Sequence, residues 1–310
     1  MTVRIPKLKL TRKLNIKISR LELTMNQKRI ASSEVMNRLY GKLDFFQKIL
    51  KPHVDRLIQE YAGKESLPGY FRGIPHRIIC ICPMALCDAA LLDIGKAPDE
   101  SLLAGLGLSM YSISTHDDVV DESPETKQER ASLIYSGNIA TLQGIRILMG
   151  SGHQKLIPHL MHLMNLNHCF QTDIAFSIWQ KPSDEAGYLD AIKHTGYWAS
   201  IGPVLAMHAA GKTELIPFAE EFGKHYGLMC QLYDDVREIN DDLKNGYFSL
   251  PISTAIKSDL DLNDPVQRVQ ATKRSKELAA NCFFEIERIC DNFPRLLELA
   301  RNMHIGGSTL

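Results

Sequence analysis

No stretch of this 310-residue sequence holds the ~18 consecutive apolar residues of a membrane-spanning helix, so no span is expected. Charge of one sign is not in excess either, because 36 basic and 36 acidic side chains cancel. A balanced chain has no bulk attraction to nucleic acid, and none is expected as a partner. Cysteine is scarce and unpatterned. The seven present sit mostly in apolar stretches (Cys80, Cys82, Cys87, Cys230, Cys282), and their spacings match neither a zinc site nor a secreted disulfide framework. They read as reduced core residues of a cytoplasmic protein. Strand–helix alternation, internal repeats and low-complexity segments are missing too. With 45% apolar and 23% charged residues, the chain is ordinary globular material.

The zero net charge hides an asymmetry. Residues 1–25 carry seven basic side chains (Arg4, Lys7, Lys9, Arg12, Lys13, Lys17, Arg20) and one acid, Glu22. The remainder holds 29 basic against 35 acidic residues. Leu8, Leu10, Leu14, Ile16, Ile18, Leu21 and Leu23 are interleaved with polar residues, closer to strand period than helix period. This tail, 1–25, fits a weak anionic-membrane contact, a targeting segment or a mobile terminus. The folded domain is expected over 26–310.

From Asn26 onward the apolar period is helical. Helices are expected over 33–62, 76–94, 129–149, 156–179, 183–210, 214–243 and 266–301. A further one starts at Pro98-Asp99-Glu100-Ser101 and runs into residue 116. The stretch 76–94 is nearly all apolar and reads as a buried helix. Gly246 suits the cap that ends 214–243. The fold class expected is all-α, one helical bundle around a central cavity. Gly202-Pro203 falls inside a helical stretch, either as a packing kink or as a source of a freed carbonyl facing the cavity.

Two acidic clusters carry the chemistry. The first is His116-Asp117-Asp118-Val119-Val120-Asp121-Glu122. The second is Gln231-Leu232-Tyr233-Asp234-Asp235-Val236-Arg237-Glu238, followed by Asp241 and Asp242. Residues three and four apart share a helix face, so Asp117, Asp118 and Asp121 converge, as do Asp234, Glu238 and Asp241 or Asp242. Two such faces repel unless cations lie between them. Hard oxygen donors in this number suit Mg²⁺, which keeps several waters and bridges to substrate phosphates.

These segments resemble the two aspartate-rich motifs of the type I isoprenoid synthase fold, and within it the trans-polyprenyl diphosphate synthases. Gly137-Asn138, Gln171 with Asp173, and the run from Asp242 to Pro251 also fall where that family has similar residues. The resemblance covers roughly 67–251. It implies a prenyl diphosphate substrate, a cluster of three Mg²⁺ ions and a homodimer. It implies catalytic roles for Asp117, Asp118, Asp121, Asp234, Asp235 and Glu238. The implied metal ligands are Asp117, Asp118, Asp121, Asp234, Glu238 and Asp242. Substrate contacts are implied for Gln171, Gln231, Lys193, Arg77, Lys244 and Tyr233. Ser112 and Ile113 fall on the pocket floor; neither is aromatic, so a substrate of about fifteen carbons or more fits.

Departures from the family pattern point to the reaction. Elongating synthases carry a Gly-Lys-Arg for the second, metal-free diphosphate; here the region reads Arg72-Gly73-Ile74-Pro75-His76-Arg77. The family's later Arg pair is replaced by Thr126 and Lys127, and its Lys-Thr by Thr195 and Gly196. Threonine does not replace a bidentate arginine without loss of anion binding. The resemblance therefore implies a terpene synthase on a prenyl-synthase scaffold, ionising one prenyl diphosphate, farnesyl or geranylgeranyl. The alternatives are a divergent prenyltransferase adding isopentenyl diphosphate, or prenyl transfer to another acceptor.

Overall fold

The computed structural model describes residues 42–64, 67–121, 126–177 and 181–308. The basic tail, 1–25, lies outside them. Among the described residues every regular element is a helix. In chain order these are α1 (Leu43–Glu60), α2 (Leu67–Gly73), α3 (Ile78–Asp93), α4 (Glu100–Ser109), α5 (Tyr111–Asp121), α6 (Lys127–Gly150) and α7 (Ile157–Ser177). They are followed by α8 (Glu185–Ile192), α9 (Tyr197–Ala209), α10 (Ile216–Arg237), α11 (Ile239–Asn245), α12 (Leu250–Ser258), α13 (Pro265–Ile289) and α14 (Pro294–Ser308).

The apolar segment read as a buried helix is α3, and every residue from 80 to 91 is buried. Helices α4 and α9 flank it, α6 covers α4 and α5, and α10 lies between α9 and α13. Among the described residues no single helix is long and apolar enough to cross a membrane. The order follows from local chemistry. Asp99 accepts from the amides of Ser101 (2.9 Å) and Leu102 (3.0 Å) and starts α4. Thr126 and Glu129 form a capping box that starts α6. Gly246, at φ 76°, ends α11 as expected.

Helix breaks differ from the sequence expectation. The segment into residue 116 is interrupted at Met110, 183–210 splits into α8 and α9, 214–243 splits at Glu238, and 266–301 splits before Pro294. The helix α12 was not expected at all, and α2 falls where Leu67-Pro68-Gly69-Tyr70 reads as a turn. Gly196 supplies one reason: a Cβ there would lie 2.3 Å from Lys224 Cα and 2.6 Å from Gly223 O. The chain turns at 193–196 so that α9 can meet α10 backbone to backbone. At Gly202 a Cβ would lie 2.2 Å from Pro83 O, so α9 also touches the α3 backbone. Gly202 thus lets two core helices pack closely.

Candidate active site

The first acidic cluster sits on the last two turns of α5. Gly137 brings α6 close beneath it: an added Cβ would lie 2.9 Å from Ser112 Cα and closer still to Thr115 Oγ1. The next residue, Asn138, hydrogen-bonds the His116 side chain, while burial pulls the imidazole below its ordinary range. Ser112 and Ile113 are buried in the bundle below. Asp117 faces solvent and Asp118 is half-buried. Asp121 ends α5; its side chain, that of Asp173, and Glu122 lie outside the described residues.

Arg77, at the entrance to α3, meets Asp118 with both arms. Nη1 donates to Oδ1 at 3.0 Å and Nη2 reaches Oδ2 at 2.6 Å. Burial works against the Arg77 charge, but Asp118 outweighs it and holds the guanidinium above its ordinary value. The resemblance put Arg77 among substrate contacts; here its partner is the acidic motif.

The second cluster lies where α10 gives way to α11. Glu238 is the break between them, so Asp234 and Asp242 sit on different helices. Arg237 lies between two carboxylates, with Nη2 2.6 Å from Asp234 Oδ1 and 2.8 Å from Glu238 Oε1. Asp235 faces the other way and is buried. Tyr188 of α8 donates its hydroxyl to Asp235 Oδ2, and Gln231 Nε2 donates to Oδ1 at 3.1 Å. Burial pushes the Asp235 carboxyl up to about 7; the two donors pull it down, and the charges of Asp242 and Asp234 push it further up.

The other expected contacts are distributed as follows. Gln231 is engaged with Asp235. Tyr233 is buried toward α14, its hydroxyl 2.7 Å from His304 Nδ1 and its ring against Gly307. Gln171 is half-buried on α7. Lys193 reaches Asp190 at 2.7 Å with half its side chain in solvent, and Lys244 is exposed on α11. Thr126 is committed to the cap of α6. Two residues of the site were not singled out from sequence. Arg237 was legible, since it lies three residues after Asp234 on one helix. Tyr188 carried no signal, because its partner is 47 residues away.

No known protein-family model matches the sequence, and no curated protein matches it. Solved structures do. A decaprenyl diphosphate synthase from Rhodobacter capsulatus superposes with a TM-score of 0.67 at 16% identity, over 87% of this chain and 98% of that one. A polyprenyl synthase from Caulobacter crescentus CB15, complexed with calcium and isoprenyl diphosphate, gives 0.61 at 18% identity, over 83% and 98%. A geranylgeranyl pyrophosphate synthase from Corynebacterium glutamicum gives 0.60 at 16%, over 90% and 98%. This is the fold of the trans-polyprenyl diphosphate synthases.

Within the synthase fold the donor chemistry fits a hard divalent cation: every candidate ligand is a carboxylate. Among the described residues, no three carboxylate, histidine or cysteine side chains converge on one point. Arg77 and Arg237 instead sit on oxygens of Asp118, Asp234 and Glu238. Each guanidinium supplies the positive charge that keeps its acidic cluster from repelling itself.

Proposed function

We propose that this chain ionises a single allylic prenyl diphosphate, farnesyl or geranylgeranyl, and cyclises or quenches the resulting cation as a Mg²⁺-dependent terpene synthase. Asp117, Asp118 and Asp121 of one cluster and Asp234, Glu238 and Asp242 of the other would hold the metal. Mg²⁺ held by these carboxylates would supply the positive charge that favours departure of the diphosphate. Arg237, released from its carboxylates, would donate to the diphosphate oxygens. The buried faces of α3, α5, α7 and α9 would keep bulk water from the cation. Tyr111, Tyr233 and Trp198 are left to core packing: Tyr111 Oη donates to Tyr70 O at 2.9 Å, and Trp198 packs edge-on against Tyr226 at 6.4 Å.

The observation that carries the single-substrate reading is the engagement of Arg77. It is the basic residue left of the family's Gly-Lys-Arg, and it is bound bidentately to Asp118. Thr126, in place of an arginine, serves as a helix cap. A second reading, chain elongation with isopentenyl diphosphate, is favoured by the names of the similar structures, which are elongating synthases. Arg72, Arg77, Lys127 and Arg130 would then hold the second diphosphate. Pairing of two copies is supported by Tyr135, Leu142 and Met149, exposed at seven-residue spacing along α6. The test of the site is substitution: Asp117→Asn or Asp234→Asn should lower diphosphate release at least about 10²-fold, the scale of a lost preorganised charge contact. Release at the wild-type rate in both variants would remove the assignment.

A further inference from the structure

Asn167 is fully buried on α7, and neither its Oδ1 nor its Nδ2 has a hydrogen-bond partner among the described residues. Its neighbours on the same helix face are Leu163, Met164 and Phe170, all buried. A leucine, which has the same branched shape, would complete that apolar face, whereas an unpartnered amide is unfavourable there. The position of Asn167 gives the amide a use. The next residue, His168, rests its ring 5.4 Å from that of His116, which immediately precedes Asp117. Gln171 lies one turn on, along the same face. Asn167 is thus a buried amide one residue from the contact between α7 and the first acidic motif. With a diphosphate held at the clusters, the reacting carbons of its prenyl chain would enter the bundle beside that contact.

We propose that the Asn167 carboxamide holds the water that quenches the cation, so that the product is a terpene alcohol. The inference rests on the single-substrate reading above. The carbon–oxygen bond to diphosphate breaks with both electrons leaving on oxygen. The water held by Asn167 Oδ1 donates a lone pair to the cationic carbon, and its surplus proton passes to the released diphosphate. Nothing is oxidised or reduced. Without a held water, the cation would instead lose a proton from carbon and give a hydrocarbon.

Wild type, Asn167→Leu and Asn167→Thr should be incubated with Mg²⁺ and farnesyl or geranylgeranyl diphosphate in ¹⁸O-labelled water. Diphosphate release, the alcohol-to-hydrocarbon ratio and thermal stability without ligand are read together. Wild type should give an alcohol carrying one ¹⁸O. Asn167→Leu should keep diphosphate release, be at least as thermally stable, and lower the alcohol-to-hydrocarbon ratio about tenfold, the scale of one hydrogen bond. Asn167→Thr retains a hydroxyl and should fall between; it decides the matter if the leucine variant fails to fold. An unchanged ratio with release intact would overturn the role of Asn167, as would a wild type making only hydrocarbon. A wild type that releases no diphosphate from any allylic substrate fails the proposed function itself, and this inference with it.

Discussion

Tyr188→Phe removes one oxygen from the interior and leaves the Asp235 carboxylate with Gln231 as its remaining donor. A hydrogen bond to a charged buried group is worth about 1.5–3 kcal/mol, against about 1 kcal/mol for a neutral one. Which value applies depends on pH, because the folded Asp235 titrates near 7 while a free aspartate titrates near 3.8. The folded protein thus keeps a proton that the unfolded chain has already released. The stability this group contributes is complete below about pH 3.8 and is lost as pH rises through 7, by at most about 4 kcal/mol. Metal-free protein should be melted at pH 5.5 and pH 8.5. For a chain of this size about 1 kcal/mol moves the midpoint by about 2 °C. Tyr188→Phe should lower the midpoint by about 2 °C at pH 5.5 and about 3–6 °C at pH 8.5. Asp235→Asn should behave differently. Its amide still accepts from Tyr188, and the Gln231 amide can turn over to accept from it, so no buried charge is left. At pH 8.5 it should melt at or above wild type, and its midpoint should depend less on pH. A Tyr188→Phe variant that melts like wild type at pH 8.5, or an Asp235→Asn variant that loses as much, would refute the buried-charge reasoning.

Gly202→Ala should destabilise by about 1–3 kcal/mol, because its Cβ would collide with the α3 backbone at Pro83 and Cys87. Gly150→Ala, with nothing within 4 Å, is the control and should be neutral or slightly stabilising in the same melts. Glu238→Ala should weaken apparent Mg²⁺ affinity more than Asp242→Ala, since Glu238 lies at the helix break beside Asp234; a titration giving the reverse order would name Asp242 the nearer ligand. The drop in diphosphate release for Asp117→Asn and Asp234→Asn completes the set, read alongside melting curves, which for Asp117→Asn should stay at or above wild type as like charges are thinned out.

The all-α architecture and the buried α3 were legible because they rest on apolar period and on run length, which are properties of contiguous residues. The starts of α4 and α6 were readable for the same reason, since Asp99, Thr126 and Glu129 cap within three residues of themselves. The breaks were not. Gly196 turns the chain because Gly223 and Lys224 lie against it, and α14 begins where Asp93 accepts from the amides of Arg295 (3.1 Å) and Leu296 (3.1 Å), some 200 positions away. No local propensity records such contacts. The acidic clusters were legible as a site, but the facing of each carboxylate was not. Asp234 and Asp235 are adjacent in sequence, yet one meets Arg237 at the surface and the other is buried against Tyr188. The break at Glu238 and the hydroxyl from α8 decide that difference, and both come from tertiary packing.

The most direct test of the proposed function is incorporation of labelled isopentenyl diphosphate. The protein should be incubated with Mg²⁺ and either farnesyl or geranylgeranyl diphosphate, with and without the labelled compound. With Arg77 held by Asp118 and Thr126 held in a cap, two or three charge-assisted donors for a second diphosphate are missing, each worth about 1.5–3 kcal/mol. Release of diphosphate with a hydrocarbon or terpene alcohol as product, and negligible label in any prenyl diphosphate, is the expected result. Efficient formation of a longer, labelled prenyl diphosphate would contradict the single-substrate reading and make the chain an elongating synthase.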